Sequence, residues 1–495
     1  MVTPVSSASA RLEPLAVAGL TSERATVLTV ALATMLAPLN STMIAVALPH
    51  VITEFGVDIA SAGWLVTAYL IVMAALQPVA GKLGDRFGRR RLILGGVAWF
   101  GLVSLGAATA SSLSGLLFFR VQQAIAGAIA LPNGAALLRE VVPAERRAGR
   151  FGLVGAAVAL AAAAGPPLGG LLVGTAGWRA IFYVNLLFVL PTLALGWRAI
   201  PGGPGRGTKH PFDLAGAVLL SAGLSGLAGL LTHGPKSHPV LAPVLGIALA
   251  VLAAIFLRRE LRHPDPVLQP RLFAGRAFAA ANAAIALSNL AMYSTLLAIP
   301  ILLLRRTGWT SAQVGLVLAV MSVGIVVFSP IGGRLADRLG RRGPTVAGLS
   351  LLTLGLVPLA RSGGGITTPA LLTGLGLIGA GLGLSSAGLQ TAAIEAVGPR
   401  DSGVASGVFS TSRYLGSIVG SSVLAGLLGP ASDGVTGFGA VFLMAVAAAL
   451  LSVLVGFGLR ETGGDNIILA MRACPRPRRK QVGSSHHRSY SLVTA

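Results

Sequence analysis

Apolar runs of membrane length recur along almost the whole chain. They fall at about 26–49, 60–81, 90–110, 113–138, 150–174 and 178–198, then 212–232 and 239–257, then 277–304, 311–332, 344–361, 368–394, 404–428 and 437–459. A helix of roughly 20 apolar residues spans the hydrocarbon core of a bilayer, and in that core every backbone polar group must be satisfied within the protein. The runs are therefore helices, and the chain is expected to be an all-α polytopic membrane protein with ~14 transmembrane helices. With 54% hydrophobic and 11% charged residues the composition exceeds what a soluble core requires. The 66 glycines suit membrane helices whose backbones approach closely.

The net charge of +22 does not mark a nucleic-acid binder, because the arginines sit in short loops between apolar runs. Loops after even-numbered spans carry Arg86, Arg89 to Arg91, Arg146, Arg147, Arg150, Arg206, Lys209, Arg258, Arg259, Arg262, Arg271, Arg276, Arg338, Arg341, Arg342 and Arg400. Loops after odd-numbered spans carry far fewer cations, among them Arg179, Lys236, Arg305, Arg306 and Arg361. The positive-inside rule then puts both termini in the cytoplasm, with the plasma (inner) membrane as the expected location. Trp64, Trp178 and Trp309 fall at outer boundaries and are expected to act as interface anchors. The single cysteine, Cys474, allows no internal disulfide. No metal-ligand cluster, nucleophile–base pair or phosphate-cradling Gly-Lys turn stands out, so no cofactor, metal or enzyme activity is expected.

One short turn occurs twice. Gly81 to Arg91 reads GKLGDRFGRRR, and Gly333 to Arg342 reads GRLADRLGRR. Gly81, Leu83, Asp85, Arg86, Gly88, Arg89 and Arg90 recur at one constant offset as Gly333, Leu335, Asp337, Arg338, Gly340, Arg341 and Arg342. The copies join spans 2–3 and 10–11, so spans 1–6 match spans 9–14, and spans 7 and 8 are an insertion. The expected layout is a loosely ordered cytoplasmic segment 1–24, a six-helix half 25–200, a linker with the inserted pair 201–260, a second half 261–460, and a disordered basic tail 461–495.

These residues resemble the major facilitator superfamily, in particular its fourteen-span drug:proton antiporter branch. The turn matches the family's G-x-x-x-D-R-x-G-R-R signature. The resemblance implies a gate that latches the cytoplasmic side, carried here by Gly81, Asp85, Arg86, Gly88, Arg89 and Arg90 and by Gly333, Asp337, Arg338, Gly340 and Arg341. Physically, Gly81 and Gly88 would permit close helix approach and a sharp turn, and Asp85 could pair with a turn arginine or a helix N-terminus. Gly165, Pro166, Pro167, Gly169 and Gly170 in span 5 resemble the antiporter signature G-P-x-x-G-G. Those prolines remove backbone donors, and the glycines allow close packing against a partner.

Two arginines are buried deep by residue count. Arg120, in RVQQAIAGAIA, is ~10 Å from the outer end of span 4, and Arg413 is ~15 Å from the cytoplasmic end of span 13. The branch's first-span motif carries an embedded Asp; here that position is Asn40, at a depth that allows a hydrogen bond to Arg120. Asn does not titrate and Arg does not release its proton, so the usual titrating pair lacks a member. Glu140 and Glu395 end spans 4 and 12 at related positions as helix-end or gate charges. Gln77, Gln122, Gln123, Asn133, Asn282, Asn289, Tyr293 and Gln390 are candidates to line a polar cavity, or else interhelical hydrogen-bonders.

The resemblance implies a monomeric secondary transporter that exports amphipathic small molecules across the lipid bilayer by alternating access, with protons as the exchanged partner. A facilitator or uptake transporter without proton coupling is the alternative. A non-transporting membrane receptor or scaffold is the alternative from another class.

Overall fold

The computed structural model describes residues 12–202, 213–237, 241–264, 266–306, 308–362, 365–398, 402–428 and 436–460. The turn residues 203–212 and the tail 461–495, with Cys474, lie outside the described residues. The secondary structure is helical, in chain order α1 (Leu12–Phe55), α2 (Ile59–Phe87), α3 (Arg89–Ala108), α4 (Leu113–Val141), α5 (Ala144–Ala176), α6 (Ala180–Tyr183), α7 (Asn185–Ala199), α8 (Leu214–Ser237), α9 (Leu241–Arg262), α10 (Arg276–Arg306), α11 (Ser311–Leu339), α12 (Arg342–Ser362), α13 (Thr368–Glu395), α14 (Ser402–Leu427) and α15 (Thr436–Gly456). Twelve spans among the described residues are long and apolar enough to cross a membrane, one of them made of α6 and α7 together. The helices α9 and α14 fall outside those twelve: α9 ends in the charged run RRELR, and α14 carries Arg413 among many serines.

Helix starts follow local capping chemistry. Asp58 accepts the Ser61 amide at 2.8 Å and opens α2, Ser112 caps α4, and Thr310 with Gln313 forms a capping box for α11. The first helix begins at Leu12, earlier than the loosely ordered segment expected up to residue 24. Its leading turns, LEPLAVAGL, are built largely from Leu and Ala with Pro near the N-terminus, which continue a helix once the span has nucleated it.

The order of neighbours repeats. Helix α1 packs on α4, α5 and α7, α2 on α4, and α3 on α4 and α7. Downstream, α10 packs on α13, α14 and α15, α11 on α13, and α12 on α13 and α15. Replacing α1 to α5 and α7 by α10 to α15 in order turns the first arrangement into the second. The two sets meet along two seams that the same replacement exchanges, α5 against α11 and α2 against α14. Helix α8 lies against α2 and α14, with α9 on its far side, so the inserted pair flanks one seam. Ala217 of α8 is buried with Val79 of α2 and Val267, with Leu83 and Leu220 against them.

Residues joining the sets concentrate toward the end opposite the arginine turns. There His50 meets Ser311 at 3.2 Å, and Thr67 and Ser421 share a hydrogen bond of 2.9 Å. Farther down, Gln77 donates to the Tyr414 hydroxyl at 3.2 Å.

Candidate functional site

Both copies of the basic turn adopt the same backbone. Gly88 has φ +91° and Gly340 φ +87°, a region that an L side chain rarely occupies, so each turn needs its glycine. The following arginines make the same links in both copies. Arg89 lies 3.6 Å from Glu140 at the end of α4, and Arg341 lies 2.8 Å from Glu395 at the end of α13. Arg90 sits 5.5 Å over the Trp197 ring near the end of α7, and Arg342 sits 5.2 Å over Phe457 just past α15. Glu395 and Asp337 hold the Arg341 guanidinium in its charged form, raising it above its ordinary value. The Asp85 side chain lies outside the described residues. Arg86 and Arg338 are exposed.

Gly81 does not make the close approach expected of it. A Cβ there would meet Pro132 at an ordinary 3.5 Å, and one on Gly333 would meet Ala387 at 3.7 Å. The tight positions are Gly84, against the Asn133 side chain, and Gly332, against the Leu384 backbone. Helical phase explains the shift: Gly84 and Gly332 face the neighbouring helix, and the repeated residues Gly81 and Gly333 point to its flank.

Arg120 is completely buried, with 0% exposure. Its Nε donates to the Leu65 carbonyl at 3.2 Å, and its Nη1 donates to Asn40 Oδ1 and, at 3.2 Å, to Gln123 Oε1. The Tyr69 ring lies 4.4 Å from the guanidinium carbon. Gln123 passes the chain on, donating to Ser104 at 2.8 Å, and Asn185 donates to the same hydroxyl at 3.2 Å. Five helices, α1 to α4 and α7, are thus tied to one cation by neutral groups alone. The sequence pointed to Arg120, Asn40 and Gln123. It did not point to Tyr69, Ser104 or Asn185, which lie on other helices with nothing but their polarity to mark them.

Arg413 has different surroundings. It is half-buried, and its guanidinium lies 5.5 Å over Phe409 of its own helix. Tyr293 and Tyr414 stand within electrostatic reach of it, and Tyr69 within reach of Tyr414. Three of the chain's five tyrosines therefore stand within electrostatic reach of one or both arginines. Tyr414 packs against a buried group of Ala37, Tyr69, Met73, Ala124 and Ala128 from the other set.

The Gly-Pro segment of α5 forms the α5–α11 seam. The helix runs unbroken through Pro166 and Pro167. Gly165 faces Thr42 of α1, and Gly169 faces Met43, whose carbonyl oxygen a Cβ would meet at 3.1 Å. Gly170 faces α11, where a Cβ would lie 2.6 Å from the Ser311 carbonyl and 2.7 Å from the Gly315 Cα. Gly315 in turn faces the Pro166 carbonyl at 2.8 Å.

The remaining polar candidates divide. Asn133, Asn282 and Asn289 each donate to the carbonyl one turn back on their own helix, as structural amides do, and Asn282 also accepts from Ser412 at 2.9 Å. Gln122 is half-buried and Gln390 exposed. Trp178 is no interface anchor: it is 4% exposed, and its indole donates to Glu54 at 2.6 Å beside Arg179. An indole flanked by that ion pair gains more from burial and a charged acceptor than from the bilayer surface. Among residues the sequence did not single out, Glu23 is 6% exposed and ties α1 to Arg146 and Arg150 of α5, at 3.3 and 2.9 Å.

A family model described as Major Facilitator Superfamily matches residues 30–267 and 281–480. The chain is 35% identical over 445 residues to an uncharacterised MFS-type transporter, YvkA, of Bacillus subtilis (strain 168), covering 89% of this chain and 96% of that protein. It is 32% identical over 409 residues to a multidrug resistance protein B homolog of Mycobacterium tuberculosis (strain H37Rv), covering 80% and 74%. It is 31% identical over 410 residues to a tetracenomycin C resistance and export protein of Streptomyces glaucescens, covering 81% and 75%. Among solved structures, a bacterial homolog of the human lysosomal transporter Spinster, in an inward-facing and unoccupied conformation, matches with TM-score 0.63 and 17% identity over 88% of this chain and 98% of that one.

Proposed function

The chain belongs to the major facilitator superfamily, and from this we propose that it is a secondary active exporter of amphipathic small molecules working by alternating access. Two six-helix halves, 25–200 and 261–460, rock about the tyrosine–arginine centre, and the inserted pair within 201–260 brings the count to fourteen spans. The basic turns face the cytoplasm by the positive-inside rule, with both termini on that side and the protein in the plasma membrane. In the proposed cycle the resting state is the one open toward the cytoplasm, a reading supported by the closed seams near the opposite end. The observation that carries the export reading is the α5 segment Gly165 to Gly170, whose glycines bring α5 directly against α1 and α11. Relatives named for multidrug resistance and antibiotic export support it.

Proton antiport is the driving reaction we infer, and it cannot use position 40. Asn40 keeps the hydrogen bond to Arg120 that an Asp would make but has no proton to exchange. Among the described residues the carboxylates stand at the ends of the spans, Glu140 and Glu395 opposite the turn arginines among them. A facilitator without coupling is favoured by the lack of an embedded acid among the described residues. Substrate-dependent pH change in proteoliposomes separates the two. Proton movement by the wild type equal to that of Asn40→Asp places the carrier elsewhere. Substrate counterflow with no pH change identifies a facilitator.

A further inference from the structure

The two deep arginines differ in how far the chain partners them. Arg120 is sealed: three neutral oxygens accept from its Nε and Nη1, the Tyr69 ring covers it, and its Nη2 alone has no hydrogen-bond partner among the described residues. Arg413 is half-open, and among the described residues its guanidinium has the Phe409 ring beside it and neither a carboxylate nor a hydrogen-bond acceptor. A guanidinium cannot shed its charge, and holding it inside a bilayer-spanning bundle without a counter-charge is costly. Its planar fork of donors fits a carboxylate with two parallel hydrogen bonds. Among the described residues no carboxylate supplies that partner: Glu23, Glu54, Glu140, Asp337 and Glu395 stand at the ends of their spans.

We propose that Arg413 anchors the anionic head of the transported molecule and that the cargo class is the aromatic organic monoanion, a carboxylate or phenolate carried on an apolar ring system. This rests on the exporter reading and narrows it. The surroundings suit such a body. The Phe409 ring lies 5.5 Å from the cation, Tyr293 and Tyr414 stand within electrostatic reach of it, and Tyr414 continues into the apolar surface of Tyr69, Met73 and Ala124. Organic cations are disfavoured at a centre that holds two arginines and, among the described residues, no acid. Gln77, hydrogen-bonded to the Tyr414 hydroxyl, holds that ring in place from the other set of helices. Arg120 stays structural: it is sealed from the path, with Nε and Nη1 engaged and Nη2 buried without a hydrogen-bond partner among the described residues.

The test uses the full chain in nanodiscs with four probes: naphthalene-2-carboxylate, its neutral amide, ethidium and palmitate. The expected result is binding of the naphthoate over the amide, with Arg413→Gln weakening it about ten- to a hundredfold and Arg413→Lys by less, because lysine keeps charge without the fork. An unchanged elution profile and melting curve show that each variant is folded. Equal binding of naphthoate and amide, an unaffected Arg413→Gln, or no binding of the naphthoate by the wild type overturns the proposal. Tighter binding of palmitate than of naphthoate overturns the aromatic class and assigns the site to lipid-like acids. Ethidium export that is indifferent to Arg413→Gln also overturns it while leaving the exporter reading standing. Naphthoate binding without transport of any probe sinks the exporter reading and leaves the anion site.

Discussion

At the scale of single residues, the buried network around Arg120 has the highest stakes. Asn40 is the one acceptor on α1, and its loss would leave a sealed guanidinium short of a partner. Asn40→Ala is therefore expected to lower stability by about 1.5–3 kcal/mol, whereas Asn40→Asp keeps the contact and lowers it less. Thermal melting of the purified protein in detergent reads the difference. Gly88→Ala, forced into φ +91°, is expected to cost about 1 kcal/mol or more, and Gly81→Ala, with room for a methyl, close to nothing. Residue counting had located Asn40 and Arg120 at matching depth, because a helix rises by a fixed amount per residue. It gives depth and no azimuth. Ser104, Asn185 and Tyr69 share that depth on other helices, and which way each faces is decided only by packing. Spans that are apolar on every side, toward lipid as well as core, carry no stripe from which that direction can be read.

At the scale of elements, α5 and the inserted pair carry separate predictions. Gly170→Ala places a methyl within 2.6 Å of the α11 backbone and should force the α5–α11 seam open. In a Cys474→Ser background with a Ser421→Cys reporter, labelling by an impermeant maleimide added outside is expected to rise severalfold. An unchanged rate would mean that the seam does not hold that side closed. At the foot of α8, burial acts against the charge of Asp213, yet Arg259, at 2.7 Å, the Gly216 amide and His263 outweigh it and hold the carboxyl below its ordinary range. A folded-state value below the unfolded one means stabilisation that is complete above the ordinary carboxylate range and is lost as pH falls through the lowered value. Asp213→Asn should therefore melt at lower temperature than wild type at pH 7, with the two curves converging below about pH 4. Glu260 has the opposite sign: burial raises it, so its contribution is present in acid and fades as pH rises. The sequence showed α8 and α9 as an insertion without a counterpart, but not where they dock, since neither contains a copied motif.

At the scale of the whole molecule, the internal repeat was the most legible feature. Asp-Arg-x-Gly-Arg-Arg read twice gave the pairing of α2–α3 with α11–α12, and the neighbour order of the two helix sets repeats in the same way. The links from Arg90 to Trp197 and from Arg342 to Phe457 are not legible in the repeat, because indole and phenyl share no letter in the sequence, only a ring face. Cysteines replacing the exposed Arg91 and Arg338 one at a time are expected to be labelled from the cytoplasmic side alone, and labelling from opposite sides would break the relation between the halves. The glycine-lined contact of α5 with α11 has a mechanical consequence. Where Gly170 meets Gly315, main chain rests on main chain, with no knobs to withdraw from holes before the surfaces can roll. On the proposed cycle such a bearing turns without unlocking side chains, so the resistance to reorientation must reside in the polar links elsewhere, and those are what a cargo or a proton would have to loosen.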